Sequence, residues 1–184
     1  DYGTVQITKN LTGDGVTDWG GQPYTFDVAC TLDGSTGNVF TKTGITLQRS
    51  GTETTLTSDF IGPIPQGAAC TATETSKGWA TSVSPSKTQS FATILANTNV
   101  GVTFTNTFAL AGFTVSKAVS TQALDAADHP VAYTGNYGFT ASCKIGDHEF
   151  LTAEQQSFTL TDGTAKTFTG LPTGADCTVT ETNT

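Results

Sequence analysis

The segments VQITK (Val5–Lys9), CTATE (Cys70–Glu74) and VTFTN (Val102–Asn106) decide how the first half of this chain folds. In a strand, alternate side chains face the same side. Val5, Ile7 and Lys9 therefore share a face, as do Cys70, Ala72 and Glu74, and Val102, Phe104 and Asn106. Thr or Gln fills the opposite face each time. A Lys, a Glu and an Asn thus fall where apolar side chains should enter a core. An ionisable group in a core is costly without a partner, and these three can partner one another.

The second half repeats the first two segments as FTVSK (Phe113–Lys117) and CTVTE (Cys177–Glu181). Lys9 to Lys117 is an offset of 108 residues, Cys30 to Cys143 of 113, and Cys70 to Cys177 and Glu74 to Glu181 of 107. Self-similarity of this kind over 184 residues predicts two small tandem domains, 1–110 and 111–184. Thr supplies 39 residues, and short alternating runs are broken by Gly, Asp, Asn and Pro, which predicts an all-β fold. Strands are expected near 3–10, 23–31, 38–48, 54–61, 69–76, 89–95 and 100–108, then near 112–119, 134–145, 156–160, 165–169 and 175–182. Thr12 to Gln22 reads as a Gly-rich loop and Gly62 to Gly67 as a Pro-containing turn. The second repeat has no counterpart of VTFTN, so its sandwich is expected to lack the last strand. Asn183 shares the parity of Glu181 but lies only two residues along the same strand.

The formal net charge of -8, with Arg49 the sole arginine, argues against nucleic acid and anionic membranes as partners. No apolar run reaches the length of a membrane span. Four cysteines divide two per repeat: YTFDVAC (Tyr24–Cys30) matches YGFTASC (Tyr137–Cys143), and AACTATE matches ADCTVTE. The spacing is not that of a metal knuckle. The simplest pairing is Cys30 with Cys70 and Cys143 with Cys177, which implies an oxidising, extracellular compartment; two buried free thiols per domain are the alternative. The chain carries no visible signal peptide or hydrophobic tail and reads as a piece of a longer secreted protein.

Other chemistry-bearing residues read more plainly. Asp14 and Asp18 sit among glycines without the oxygen-ligand spacing of an EF-hand, and Asp125, Asp128 and His129 form an acidic stretch ending at Pro130. Both read as solvated loops, so no metal and no cofactor is expected. Trp19 and Trp79 could line a sugar-binding face, but read better as core or loop anchors. No nucleophile elbow, phosphate loop or paired catalytic carboxylate is present, so no enzyme acting on a separate substrate is expected.

VQITK, CTATE and VTFTN, in that order and parity, resemble the first, penultimate and last strand motifs of the CnaB-type immunoglobulin-like domains of Gram-positive surface adhesins and pilins. GPIPQGAACTATET with VTFTNTF is similar to the Cys-containing tandem repeats of actinobacterial surface proteins. The resemblance implies two tandem immunoglobulin-like sandwiches serving as a stalk on the bacterial cell surface. The partners it implies are other domains of the same protein; a host protein or glycan is the alternative, bound through sandwich-end loops. It also implies a spontaneous intramolecular isopeptide bond between Lys9 and Asn106, assisted by Glu74. Burial disfavours the charged forms of lysine and carboxylate alike. A neutral Lys9 amine is then a nucleophile, and a protonated Glu74 can polarise the Asn106 carboxamide. From the residues alone, a buried Lys9–Glu74 ion pair with Asn106 hydrogen-bonded beside it stands as the other reading. Asn97 and Asn99 rank below Asn106 as acceptors because their parity is opposite. In the second repeat Lys117 and Glu181 match, but the strand that should bring the asparagine is absent, so no bond is expected within this stretch; the two are expected either to form a residual ion pair or to be completed by residues beyond Thr184.

Overall fold

The computed structural model describes residues 1–91, 93–120, 123–131 and 134–182. Asn183 and residue 92 lie outside the described residues. The chain divides into two compact units, Asp1–Ala109 and Leu110–Thr184.

Unit 1 runs β1 (Tyr2–Thr12), α1 (Val16–Trp19), β2 (Tyr24–Thr31), β3 (Asn38–Leu47), β4 (Thr55–Thr57), β5 (Ile61–Pro65), β6 (Ala69–Ser76), β7 (Ser82–Ser84), β8 (Thr88–Phe91) and β9 (Asn99–Thr107). One sheet has the order β4-β1-β9-β7, with β5 also paired to β1; the other has the order β3-β2-β6-β8. β1 and β9 are parallel over nine registered pairs, from Thr4 opposite Asn99 to Thr12 opposite Thr107. Along β1 and β6 the burial alternates with every second residue, so the parity of VQITK and CTATE places Val5, Ile7, Cys70 and Ala72 in the core. Tyr24, Phe26, Val28, Phe104 and Phe108 fill it from the other strands, with the Phe26 and Phe104 rings 5.2 Å apart.

Several local expectations give way to tertiary packing. The segment read as a Pro-containing turn is largely strand β5, whose Ile61 and Ile64 are buried against β1. Pro63 and Pro65 cannot donate to a ladder, but an edge strand tolerates this. The Gly-rich loop after β1 contains the single-turn helix α1, which buries Val16. Gly13 is needed there: its φ is +96°, and a Cβ would stand 2.4 Å from the Phe108 carbonyl oxygen. That close approach lets the Phe108 carbonyl accept the N–H of Gly15. The strand expected over 89–95 is the shorter β8, and β7 was not anticipated. Because β7 and β8 both intervene, the CTATE strand is not the penultimate one.

Unit 2 comprises β10 (Leu110–Ser116), β11 (Tyr137–Ile145), β12 (His148–Glu149), α2 (Ala153–Gln156), β13 (Ser157–Leu160), β14 (Ala165–Pro172) and β15 (Asp176–Glu181). β10 pairs with β14, while β11 pairs with β12, β13 and β15. Thus β10 and β14 correspond to β1 and β5, and β13, β11 and β15 to β3, β2 and β6. Among the described residues, unit 2 contains no counterpart of β9. Phe168 is fully buried, stacked on Phe113 at 4.6 Å and met edge-on by Phe158 at 5.5 Å.

A disulfide joins Cys30 to Cys70 and another joins Cys143 to Cys177, each between directly opposed residues of neighbouring strands.

Glu149 anchors the turn after β11. Its carboxylate accepts the Ser142 hydroxyl at 2.6 Å and the N–H groups of Cys143 and Leu151 at 2.9 Å each. Burial pushes this carboxyl up, but the Ser142 hydroxyl and the two N–H donors outweigh it and hold it below the usual glutamate value. A carboxyl lowered on folding stabilises above its unfolded pKa, and that stability is lost as pH falls through the folded value. Glu149→Gln is therefore expected to destabilise unit 2 at neutral pH and to flatten its acid-unfolding profile, measured by tryptophan-independent circular dichroism. An unchanged acid limb in the variant would assign the acid sensitivity to other carboxylates.

Candidate functional site

Three polar side chains in the core of unit 1 are fully buried: Lys9, Glu74 and Asn106, each 0% exposed. Lys9 on β1 and Asn106 on β9 come from one sheet, and Glu74 on β6 from the other. Strand register sets the spacing within the first sheet. Lys9 lies opposite Phe104 and Asn106 opposite Leu11, so Lys9 and Asn106 are diagonal neighbours on the inward face of a parallel pair.

Lys9 Nζ lies 2.8 Å from Glu74 Oε1, and Asn106 Nδ2 donates to the same oxygen at 2.9 Å. Asn106 Nδ2 also donates to the Lys77 carbonyl at 3.2 Å. The carboxamide nitrogen is thus fully engaged, whereas Asn106 Oδ1 and Glu74 Oε2 have no hydrogen-bond partner. Lys9 Nζ touches Glu74 without the alignment of a hydrogen bond. Two aromatic faces complete the surroundings, with Nζ 5.2 Å from the centroid of Tyr24 and 5.9 Å from that of Phe26. The Tyr24 hydroxyl is turned away, donating to the Gly20 carbonyl at 2.8 Å.

Burial lowers the Lys9 ammonium below the ordinary lysine range, and the adjoining Glu74 carboxylate only partly offsets this. Burial also raises the Tyr24 phenol, reinforced by the Glu74 carboxylate and opposed by Arg49. A dry pocket that favours a neutral amine beside a carboxamide, with a carboxyl group touching both, has the components for amine attack on an amide. Fixed geometry supplies the proximity that such a slow reaction needs.

The other candidate residues stand elsewhere. Asn97 and Asn99 are exposed, and Asn99 Oδ1 accepts the Thr4 hydroxyl at 3.1 Å. Trp19 and Trp79 are half-buried and pack edge to face at 5.9 Å. The Asp125 carboxylate accepts the N–H groups of Ala127 and His129 within its own turn. Asp14 and Asp18 are exposed. In unit 2 Lys117 Nζ donates to both oxygens of Glu181, each at 3.0 Å, and lies 4.0 Å from the Tyr137 ring centroid.

Sequence reasoning did not assign roles to the Lys77 carbonyl, Tyr24 or Phe26. Tyr24 and Phe26 share the parity of Cys30, which was a usable signal. A backbone carbonyl in a turn leaves no such trace.

A model of the domain of unknown function DUF5979 matches residues 5–109 and again 113–184. The chain belongs to the DUF5979 family. Each DUF5979 match covers almost all of one structural unit. Among solved structures, a variant of the major pilin of Streptococcus pyogenes aligns over 100% of this chain and 83% of its own, at 19% identity and a TM-score of 0.51. That likeness shows the fold: the DUF5979 pair is all-β, built as two tandem immunoglobulin-like sandwiches. A single B repeat unit of the collagen-binding surface protein of Staphylococcus aureus aligns over 100% of this chain and 87% of its own, at 16% identity and a TM-score of 0.30. A pilus-presented adhesin aligns over 59% of this chain at 17% identity and a TM-score of 0.38, and the matched part is 28% of that adhesin. No curated protein matches the chain.

Proposed function

We propose that this chain is a structural repeat region of a bacterial surface adhesin or pilus protein, of CnaB type, and that unit 1 seals itself with a Lys9–Asn106 isopeptide bond. The observation that carries the reading is the complete burial of Lys9, Glu74 and Asn106 together, on first, middle and last strands of one sandwich. Lys9 Nζ, as the free amine, adds to the Asn106 carboxamide carbon. The bond from that carbon to Nδ2 breaks, and ammonia leaves. Glu74, in contact with both nitrogens, takes the amine proton and delivers it to the departing one. Two disulfides support an extracellular location, and the pilin fold supports a load-bearing role beside other domains of the same protein.

Intact-mass spectrometry tests this directly. The chain is expected to weigh one ammonia less than its sequence, beyond the hydrogens lost to two disulfides, with proteolysis yielding a branched peptide joining β1 to β9. A chain of full amide mass would sink the cross-link.

One observation favours an adhesive reading. A groove of about 560 Å³ lies in unit 1, lined by Phe40, Ile45, Phe60 and Asp59 among others, and Phe60 is 66% exposed. Saturable binding of a host matrix protein or glycan, abolished by Phe60→Ser, would assign it a ligand.

A further inference from the structure

The turn between β6 and β7, residues 77–81, is tied to both sides of the Lys9 site. On one side the Lys77 carbonyl accepts Asn106 Nδ2 at 3.2 Å and the Ala80 N–H at 3.3 Å. The Thr81 N–H donates to the Thr107 carbonyl, and the Thr81 hydroxyl accepts the Ala109 N–H, which fastens the turn to the end of β9. On the other side Gly78 sits against Gln22 and Tyr24. A Cβ at Gly78 would stand 2.9 Å from Gln22 Cβ and 3.6 Å from a Tyr24 ring carbon. Tyr24 is also the ring lying 5.2 Å from Lys9 Nζ. Gly78 has a φ of +58°, a left-handed conformation that glycine adopts freely and asparagine tolerates. One peptide plane carries both the Lys77 carbonyl and the Gly78 nitrogen, so φ at Gly78 sets where that carbonyl points.

We infer that the Lys77 carbonyl takes part in the amide exchange proposed for unit 1, orienting the departing nitrogen to receive its proton, and that Gly78 positions that carbonyl. This rests on the proposed exchange and adds to it the group that handles the leaving nitrogen. A carboxamide offers two N–H donors on its nitrogen and an acceptor on its oxygen. One N–H of Asn106 meets Glu74 Oε1 at 2.9 Å and the other meets the Lys77 carbonyl. Turning the amide over would set Asn106 Oδ1 against the Lys77 oxygen, two acceptors with no hydrogen between them. The carbonyl therefore selects the arrangement with Nδ2 on the carboxyl oxygen that also contacts Lys9 Nζ, at 2.8 Å. When Nζ adds, the carboxamide carbon becomes tetrahedral and Nδ2 gains a lone pair. Rotation about the carbon–nitrogen bond, pivoting on the hydrogen kept by Lys77, turns that lone pair to Glu74 Oε1. Glu74 hands over the proton it took from Nζ. The Lys77 carbonyl steadies the positive charge that develops, through the N–H it retains. The carbon–nitrogen bond breaks and ammonia leaves. One amine and one primary amide become one secondary amide and one ammonia, so no other reactant is needed.

Cell-free synthesis of the whole chain, followed by intact mass over time, reads the rate of ammonia loss. Glycolic acid in place of Gly78 makes the linkage after Lys77 an ester, whose carbonyl is a weaker acceptor, and adds no side chain. Ammonia loss is expected to slow by about tenfold, the weight of one hydrogen bond in a barrier. The N–H removed with it donates to the Ser76 hydroxyl at 3.4 Å, and Ser76→Ala, which lacks that contact alone, is expected to react at the native rate. Gly78→Asn keeps the amide but drives its Cβ against Gln22, and is expected to slow ammonia loss comparably. Gln22→Gly by itself leaves the rate unchanged. Combined with Gly78→Asn it is expected to restore the native rate, because the nearest atom to the new Cβ is then the Tyr24 ring carbon at 3.6 Å. A turn that merely supported the fold would show no such rescue, since a second loop substitution only adds to the damage. An ester chain that loses ammonia at the native rate overturns the part given to the carbonyl. A double variant no faster than Gly78→Asn overturns the positioning by Gly78. Both outcomes leave the exchange itself standing, whereas a native chain that keeps its ammonia overturns the exchange and this inference together.

Discussion

A Glu74→Ala chain is expected to retain the ammonia whose loss the proposed Lys9–Asn106 bond requires, and to lose most of the stability of unit 1. Two separate costs arise. Without the carboxyl group no proton is relayed between the Lys9 and Asn106 nitrogens, so the closure between residues 9 and 106 never forms. On the chain-entropy model a loop of that length contributes about 4–5 kcal/mol. The variant also strands Lys9 in a site with 0% exposure, and removing one partner of a buried pair costs about 3–5 kcal/mol. Together these approach the whole stability of an ordinary domain, roughly 5–15 kcal/mol. The double variant Lys9→Met/Glu74→Leu separates the two contributions. It leaves no stranded charge, and if only an ion pair held the site it should be neutral or more stable, by about 1–4 kcal/mol. A cross-linked native state predicts a loss instead, on the order of 20 °C in the melting temperature of unit 1. Scanning calorimetry of the two variants beside the native chain decides between these outcomes.

The second large effect is mechanical. Because β1 and β9 run parallel, tension applied to the two ends of unit 1 pulls these strands in opposite directions along their shared ladder. Hydrogen bonds alone would yield by shear. With Lys9 joined to Asn106, the load passes along β1, across one amide and out through Thr107, and the segment between is bypassed. Single-molecule stretching of the native chain is expected to show unfolding of unit 2 and almost no length released by unit 1. In Glu74→Ala, unit 1 should release roughly 3.3–3.6 Å per residue over the segment from Lys9 to Asn106, on the order of 300 Å when reduced. With Cys30–Cys70 intact, the 40-residue separation it closes stays locked, and roughly 200 Å remains. A native unit 1 that extends fully would rule out the covalent path.

Much of this was legible in the sequence, because strand parity is a strict rule where one face is buried. VQITK, CTATE and VTFTN each placed their last residue inward, and those residues converge on one oxygen of Glu74. Legibility failed where tertiary context overrides local chemistry. Pro63 and Pro65 read as a turn because nothing local reveals that Ile61 and Ile64 have β1 to pack against. The Lys77 carbonyl that holds Asn106 Nδ2 belongs to a turn whose conformation depends on long-range packing. In unit 2 the pairing of Lys117 with Glu181 followed from the repeat, but the exposure of the face around it is a property of the assembled strands.

The parallel pairing of β1 and β9 also bears on how such a chain can evolve. A sandwich whose first and last strands run the same way is entered at one pole and left at the other. A gene encoding it can be duplicated in tandem without inventing a return path, since the end of one copy already points onward. Only Phe108 and Ala109 separate β9 from β10. Copy number, and with it reach, can therefore change by tandem duplication of whole units.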